Sequence, residues 1–221
     1  MGMGFSKNKL LLLLLLPIFS CHNPSNTDPI HEDATPSKYK HLLSQYKQLS
    51  FDTLKVFAVS NPDSIGYRFR GKRLDSADIA LLPQEILQSE FGYRKLYACY
   101  VFNTDGPTVG MITRVPAEYN SNTLKLLIFD TLQGTITDVV ELASDWGDAG
   151  DYSYKNALLV ANKGLLKLFI DYTEGHDSDE ENDSSVYRKT NFYQLGLKNG
   201  RCDTMARNTE ALIAIFKNMK W

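Results

Sequence analysis

TLKLLIFDTLQGTITDVVEL, residues 123–142, reads as two extended segments, 123–130 and 135–142, closed by the turn Leu132-Gln133-Gly134. An apolar run on each side of a glycine-tipped turn is a hairpin signature. The pattern recurs downstream. Segments 157–161 and 165–172 flank Asn162-Lys163-Gly164, and 186–197 and 201–205 flank Lys198-Asn199-Gly200. Glycine at each tip supplies the positive φ that a tight reversal needs. Upstream, 54–59, 67–70, 93–102 and 109–115 also read as strands. The segment 93–102 is apolar on both faces, which predicts a central strand. Residues 75–87 read as a helix broken at Pro83.

A helix is expected at each end of this array. Tyr39, Leu42, Leu43, Tyr46 and Leu49 recur at helical spacing, as do Leu212, Ile215, Phe216 and Met219 after a capping Asn208. The fold class is therefore mainly β: an antiparallel meander of about ten short strands, barrel-like or sandwich, with one short helix at each end. No βαβ alternation calls for a parallel sheet, and the strands are too few for a propeller.

Ahead of this domain lies a different kind of sequence. Lys7 and Lys9 precede seven leucines, Leu10 to Leu16, and the apolar run ends Pro17-Ile18-Phe19-Ser20-Cys21. A basic start, a short apolar core and a small exit residue make a secretory signal. The run is too short to cross a bilayer, which takes about 20 apolar residues. Ile18-Phe19-Ser20-Cys21 resembles the lipobox of bacterial lipoproteins. The resemblance implies cleavage before Cys21, acyl chains (palmitate among them) on that residue, and a lasting anchor, since two or more chains hold where one does not. An ordinary signal peptide cut near Ser20 is the alternative. Residues 21–36, polar and proline-containing, read as a flexible tether, leaving 37–221 as one globular domain.

Composition excludes some partners. The chain carries 24 Lys and Arg against 26 Asp and Glu, and losing the leader removes Lys7 and Lys9 as well. Such weak acidity gives no electrostatic basis for nucleic acid binding. Opposite charges collect apart: eight bases lie within 37–73, and seven acids with no base lie within 171–183. Both read as solvated surface. With Cys21 assigned to lipid, Cys99 and Cys202 remain as a possible disulfide in an oxidising compartment, and no zinc cluster of cysteine and histidine is visible.

The candidate site is Asp145-Trp146-Gly147-Asp148-Ala149-Gly150-Asp151, read as a loop between hairpins. Its carboxylates suit a hard cation such as Ca²⁺, and Trp146 offers a face on which a sugar ring can stack. Against that stands an ordinary turn, built from the Asp and Gly that turns favour. The acid-rich 174–183 lacks the glycine an EF-hand requires and reads as a solvated extension containing an exposed His176. No nucleophile elbow, phosphate loop, dinucleotide fingerprint or H-E-x-x-H motif occurs. The sequence therefore favours a lipid-anchored envelope protein that binds or scaffolds, with an envelope protein or glycan as partner and no cofactor. The alternatives are a glycan hydrolase using Asp145, Asp148 and Asp151, and a Ca²⁺-dependent carbohydrate-binding module.

Overall fold

The computed structural model describes residues 36–87, 95–117, 122–162, 165–178 and 184–218. The leader, Cys21, the tether up to residue 35, and acids 179–183 lie outside them. In chain order the elements are α1 (Ser37–Ser44), β1 (Lys47–Gln48), β2 (Thr53–Phe57), β3 (Lys72–Arg73), α2 (Ser76–Ile79), a 3₁₀ turn (Gln84–Ile86), β4 (Tyr97–Asn103), β5 (Thr108–Val115) and β6 (Thr123–Asp130). They continue through β7 (Thr135–Asp148), β8 (Asp151–Asn162), β9 (Leu165–His176), β10 (Tyr187–Lys198), β11 (Arg201–Arg207) and α3 (Glu210–Lys217). The mainly β class holds, with a short helix at each end. All eleven strands join in one sheet, mixed because β1 runs parallel to β4, and the sheet does not close into a barrel.

β7 divides this sheet into two wings. Its first part, Thr135 to Ala143, pairs with β6, and its last part, Ser144 to Asp148, pairs with β8. Where β7 leaves β8, β2 takes its place, with Thr53 to Phe57 opposite Val160 to Asn156. The first wing is thus β4–β5–β6 with the start of β7, and the second is β8–β9–β10–β11.

Side chains alternate across each strand. In the first wing Tyr100, Phe102, Ile112, Leu124, Leu126, Ile128 and Leu142 point inward. There they meet Ala157, Leu159, Leu168 and Ile170 of the second wing, with Leu54 and Val56 of β2. The opposite face of the first wing carries Val101, Val109, Met111, Leu127 and Phe129. α1 covers it with Tyr39, Leu42 and Leu43, joined by Leu74, Leu82 and Ile86. The first wing is therefore apolar on both faces because it is covered on both. Gly110 belongs to this packing: a Cβ there would collide with the Phe102 ring.

Several local expectations change. Segment 67–70 is a turn rather than a strand. Tyr67 and Phe69 are buried, and the carbonyls of Arg68 and Arg70 accept from the Tyr100 hydroxyl and the Arg114 guanidinium. Arg114 is 1% exposed, stacks on Tyr97 at 3.7 Å and reaches Asp63 at 2.7 Å. The cap of α3 is Thr209, whose Oγ1 accepts from Leu212 N–H. Asn208 instead turns at φ 50°, and its Oδ1 accepts from Phe192 N–H. Strands β7, β8 and β9 also run well beyond 142, 157 and 172.

Candidate functional site

That overrun creates the site. Residues 145–151 are not a loop. They form the closing end of the β7–β8 hairpin, reversed at Ala149-Gly150, which have φ of 49° and 94°. Register places Trp146 opposite Ser153, Gly147 opposite Tyr152 and Asp148 opposite Asp151. Because strand side chains alternate, a spacing of three splits the acids. Trp146, Asp148 and Asp151 share the inner face, whereas Asp145 falls with Tyr154 on the outer one. The structure thus joins three of the four candidate residues and separates Asp145.

The inner face of the second wing changes character along its length. Near the core it is Ala157, Leu159, Leu168 and Ile170. Farther out the facing rows become Ser144, Lys155, Tyr172 and Asn191, then Trp146, Ser153, Glu174 and Lys189, then Asp148, Asp151, His176 and Tyr187. Contacts within these rows are polar. Lys155 Nζ lies 2.6 Å from Glu141 Oε1 and 5.4 Å from the Tyr172 ring centre. The Tyr172 hydroxyl donates to Glu174 at 3.0 Å, and Lys189 reaches the same carboxylate at 3.3 Å. The Tyr172 bond, with Lys189 second, holds the Glu174 carboxyl below its ordinary range. Burial, with that same bond, raises the Tyr172 phenol. His176, expected to be exposed, is half-buried and its Nδ1 meets Asp151 Oδ1 at 2.8 Å. Two buried polar atoms have no partner here: the Trp146 indole N–H, and Oδ1 of Asn122, whose amide donates to the Asp145 carbonyl.

A cleft of about 420 Å³ runs from this face to the seam between wings. Val140, Ile170 and Leu195 make its apolar lining, and Glu141, Lys155, Tyr172 and Tyr193 its polar lining. At the seam, between β7 and β11, side chains stand in for a strand ladder. Asp138 Oδ2 accepts from Cys202 N–H at 2.6 Å while its Oδ1 accepts from Val139 N–H. Thr137 Oγ1 donates to the Gly200 carbonyl at 2.7 Å. The cleft holds neither Trp146 nor the acids of the hairpin end.

The two cysteines among the described residues, Cys99 and Cys202, are free. The buried Cys99 donates its thiol to the Phe69 carbonyl at 3.1 Å, whereas Cys202 lines the cleft. Burial pushes the Cys99 thiol up to about 12. Cys202 is likewise pushed up to about 12, by burial first and then by the Asp138 and Asp203 carboxylates. Neither is the low-pKa thiolate that a nucleophile needs.

Sequence reasoning missed Asp138, Glu141, Lys155, Tyr172 and Glu174 as members of one surface. Ala149-Gly150 was the available signal. Centring a hairpin there, rather than treating 145–151 as a connection, sets Ser144 opposite Lys155 and carries the polar rows outward. Compared with known proteins, the chain matches no family model, no curated protein and no solved structure.

Proposed function

We propose that this chain is a lipid-anchored protein of the bacterial envelope, held at the membrane through Cys21, and that it binds a glycan on the polar inner face of the second wing. The observation that carries this reading is the separation of two ends. Pro36, the last tether residue and the first one described, packs at Gly134, just before β7 begins. The polar face surrounds the other end of the same strand. An anchor drawn toward the β6–β7 turn therefore presents Trp146, Tyr172 and Tyr187 away from the membrane. Rings for stacking, set among carboxylates, ammonium groups and an amide, match the apolar faces and hydroxyl edges of a sugar.

Binding is favoured over hydrolysis. A carboxylate mechanism needs two acids flanking one bond. Asp145 lies on the opposite face, and Asp151 is engaged with His176. The same separation weakens a calcium site built from Asp145, Asp148 and Asp151.

Two measurements test the proposal. Cys21→Ser should abolish partitioning into the detergent phase; unchanged partitioning removes the anchor. Co-sedimentation with isolated envelope polysaccharide should be lost in Trp146→Ala and Tyr187→Ala proteins that keep the wild-type circular dichroism. Absence of binding, or binding unaffected by both substitutions, removes the glycan face.

A further inference from the structure

The cover over the first wing holds a polar grouping remote from that face. His41 on α1, Asp75 at the cap of α2 and Asp78 within it bring one imidazole nitrogen and two carboxylate oxygens within 4.8 Å of one another. Asp75 is the N-cap: its Oδ1 accepts from the N–H groups of Ala77 and Asp78, both at 2.9 Å. Its other oxygen has no capping duty. Asp78 has a side chain only 3% exposed, and its Oδ1 lies 2.9 Å from His41 Nδ1, whose ring is 64% exposed. Capping explains Asp75, and a hydrogen bond explains part of Asp78. Neither accounts for the charge. Two carboxylates, one of them removed from water, exceed what a single imidazole can offset even when protonated, and a buried carboxylate is costly without compensation.

The histidine is also oriented from behind. The Gln45 side-chain amide lies 3.2 Å from Nε2 and donates to the His41 carbonyl at 3.2 Å. This leaves Nδ1 turned toward the carboxylates. Metal-bound histidines donate their far ring N–H to an acceptor, which the Gln45 side-chain carbonyl supplies once its amide turns over.

We propose that His41 Nδ1, Asp75 and Asp78 bind one Zn²⁺ ion. Three nitrogen and oxygen ligands from two elements, with the imidazole side open to solvent, fit the arrangement of three protein ligands and one water that zinc accepts. On binding, Nδ1 gives up its proton to solvent while Nε2 takes one up, so the ring stays neutral and the Nδ1 lone pair goes to the metal. The ion fastens α1 to α2, and with them the cover that follows the tether. Ca²⁺, which needs 6–8 oxygen ligands, is not matched by this set.

Calorimetry on the untagged chain tests the site, with Zn²⁺ as probe and Ca²⁺ as comparison. The expected result is a one-to-one zinc event with a raised melting temperature, and no calcium event. Asp75→Ser keeps a capping oxygen while removing the carboxylate, so folding should be retained. That substitution and His41→Gln should each weaken zinc by more than the roughly 10- to 100-fold that outer-shell changes cost. Absence of a zinc event overturns the proposal, as does one that survives Asp75→Ser in a folded protein. Either result leaves the glycan face untouched, since the two sites share no residue.

Discussion

The two wings are built from similar strands and end up in opposite situations. β5 is buried along its whole length, and its neighbours β4 and β6 nearly so. β8 and β10 have the same extended backbone but are mostly half-buried, with exposed ends. Coverage makes the difference. The first wing has the shared core on one face and α1 with the loops around α2 on the other. The second has the core under only part of its inner face. Its outer face receives α3, whose Phe216 ring meets Phe192 at 5.1 Å between centroids. Where coverage stops, Leu and Ile give way to Lys, Glu, Tyr and His. Stability is thus concentrated in one wing, while the uncovered part of the other is available for recognition.

The sharpest way to break this comparison is to substitute in each wing. Leu126→Ala should cost about 2–5 kcal/mol, the range for truncating a buried leucine. Tyr187→Ala, 52% exposed, should stay within about 0.5 kcal/mol. Urea unfolding monitored by fluorescence measures both, and equal losses would refute the division. A smaller effect is expected at Arg114. Arg114→Met leaves the Arg70 carbonyl without its guanidinium donors and should cost about 1–3 kcal/mol. Asp63→Asn, at the solvent end of that ion pair, should cost under about 1 kcal/mol.

The seam between wings can be probed through its thiol. Removing the Asp138 carboxylate takes away a group that raises Cys202, so in Asp138→Ala its pKa falls below about 12. More thiolate then exists at any given pH, and alkylation, followed by peptide mass spectrometry, should accelerate and shift its profile toward lower pH. Cys99, sealed in the core, should stay slow in both proteins. Stability should drop by about 1–3 kcal/mol as the Cys202 N–H loses its acceptor. The smallest effect belongs to the hairpin tip. Ala149→Gly removes a side chain from a left-handed conformation and should stabilise by up to about 1 kcal/mol, read as a rise in melting temperature.

Much of the fold was legible because it is local. Glycine tips at 134 and 200 sufficed to read hairpins, and the all-apolar segment containing Leu96, Cys99 and Phe102 sufficed to read a strand. That strand is not central but lies next to the sheet margin, apolar on both faces because both are covered. The site was less legible because its decisive facts are not local. Nothing near Glu141 announces that β7 will leave β6 and continue beside β8. Without that switch, Trp146, Asp148 and Asp151 look like turn residues, and Asp145 looks like their companion. His41 shows the same limit. Its helical position predicts exposure, which is observed, but its partner Asp78 is 37 residues away.

An open sheet keeps two flanks. Next to β4 the short β1 and β3, two residues each, occupy the margin, so little ladder there is left to extend. On the opposite flank β11 carries Arg201, Asp203 and Arg207, and its register with β10 shifts at Gln194/Leu195. Short margins, fixed charge and an irregular register all oppose the edge-to-edge pairing of one sheet with another. The anchor proposed at Cys21 would bring molecules side by side at high local density. Under that anchoring, the two margins would keep crowded neighbours from zipping together edge to edge.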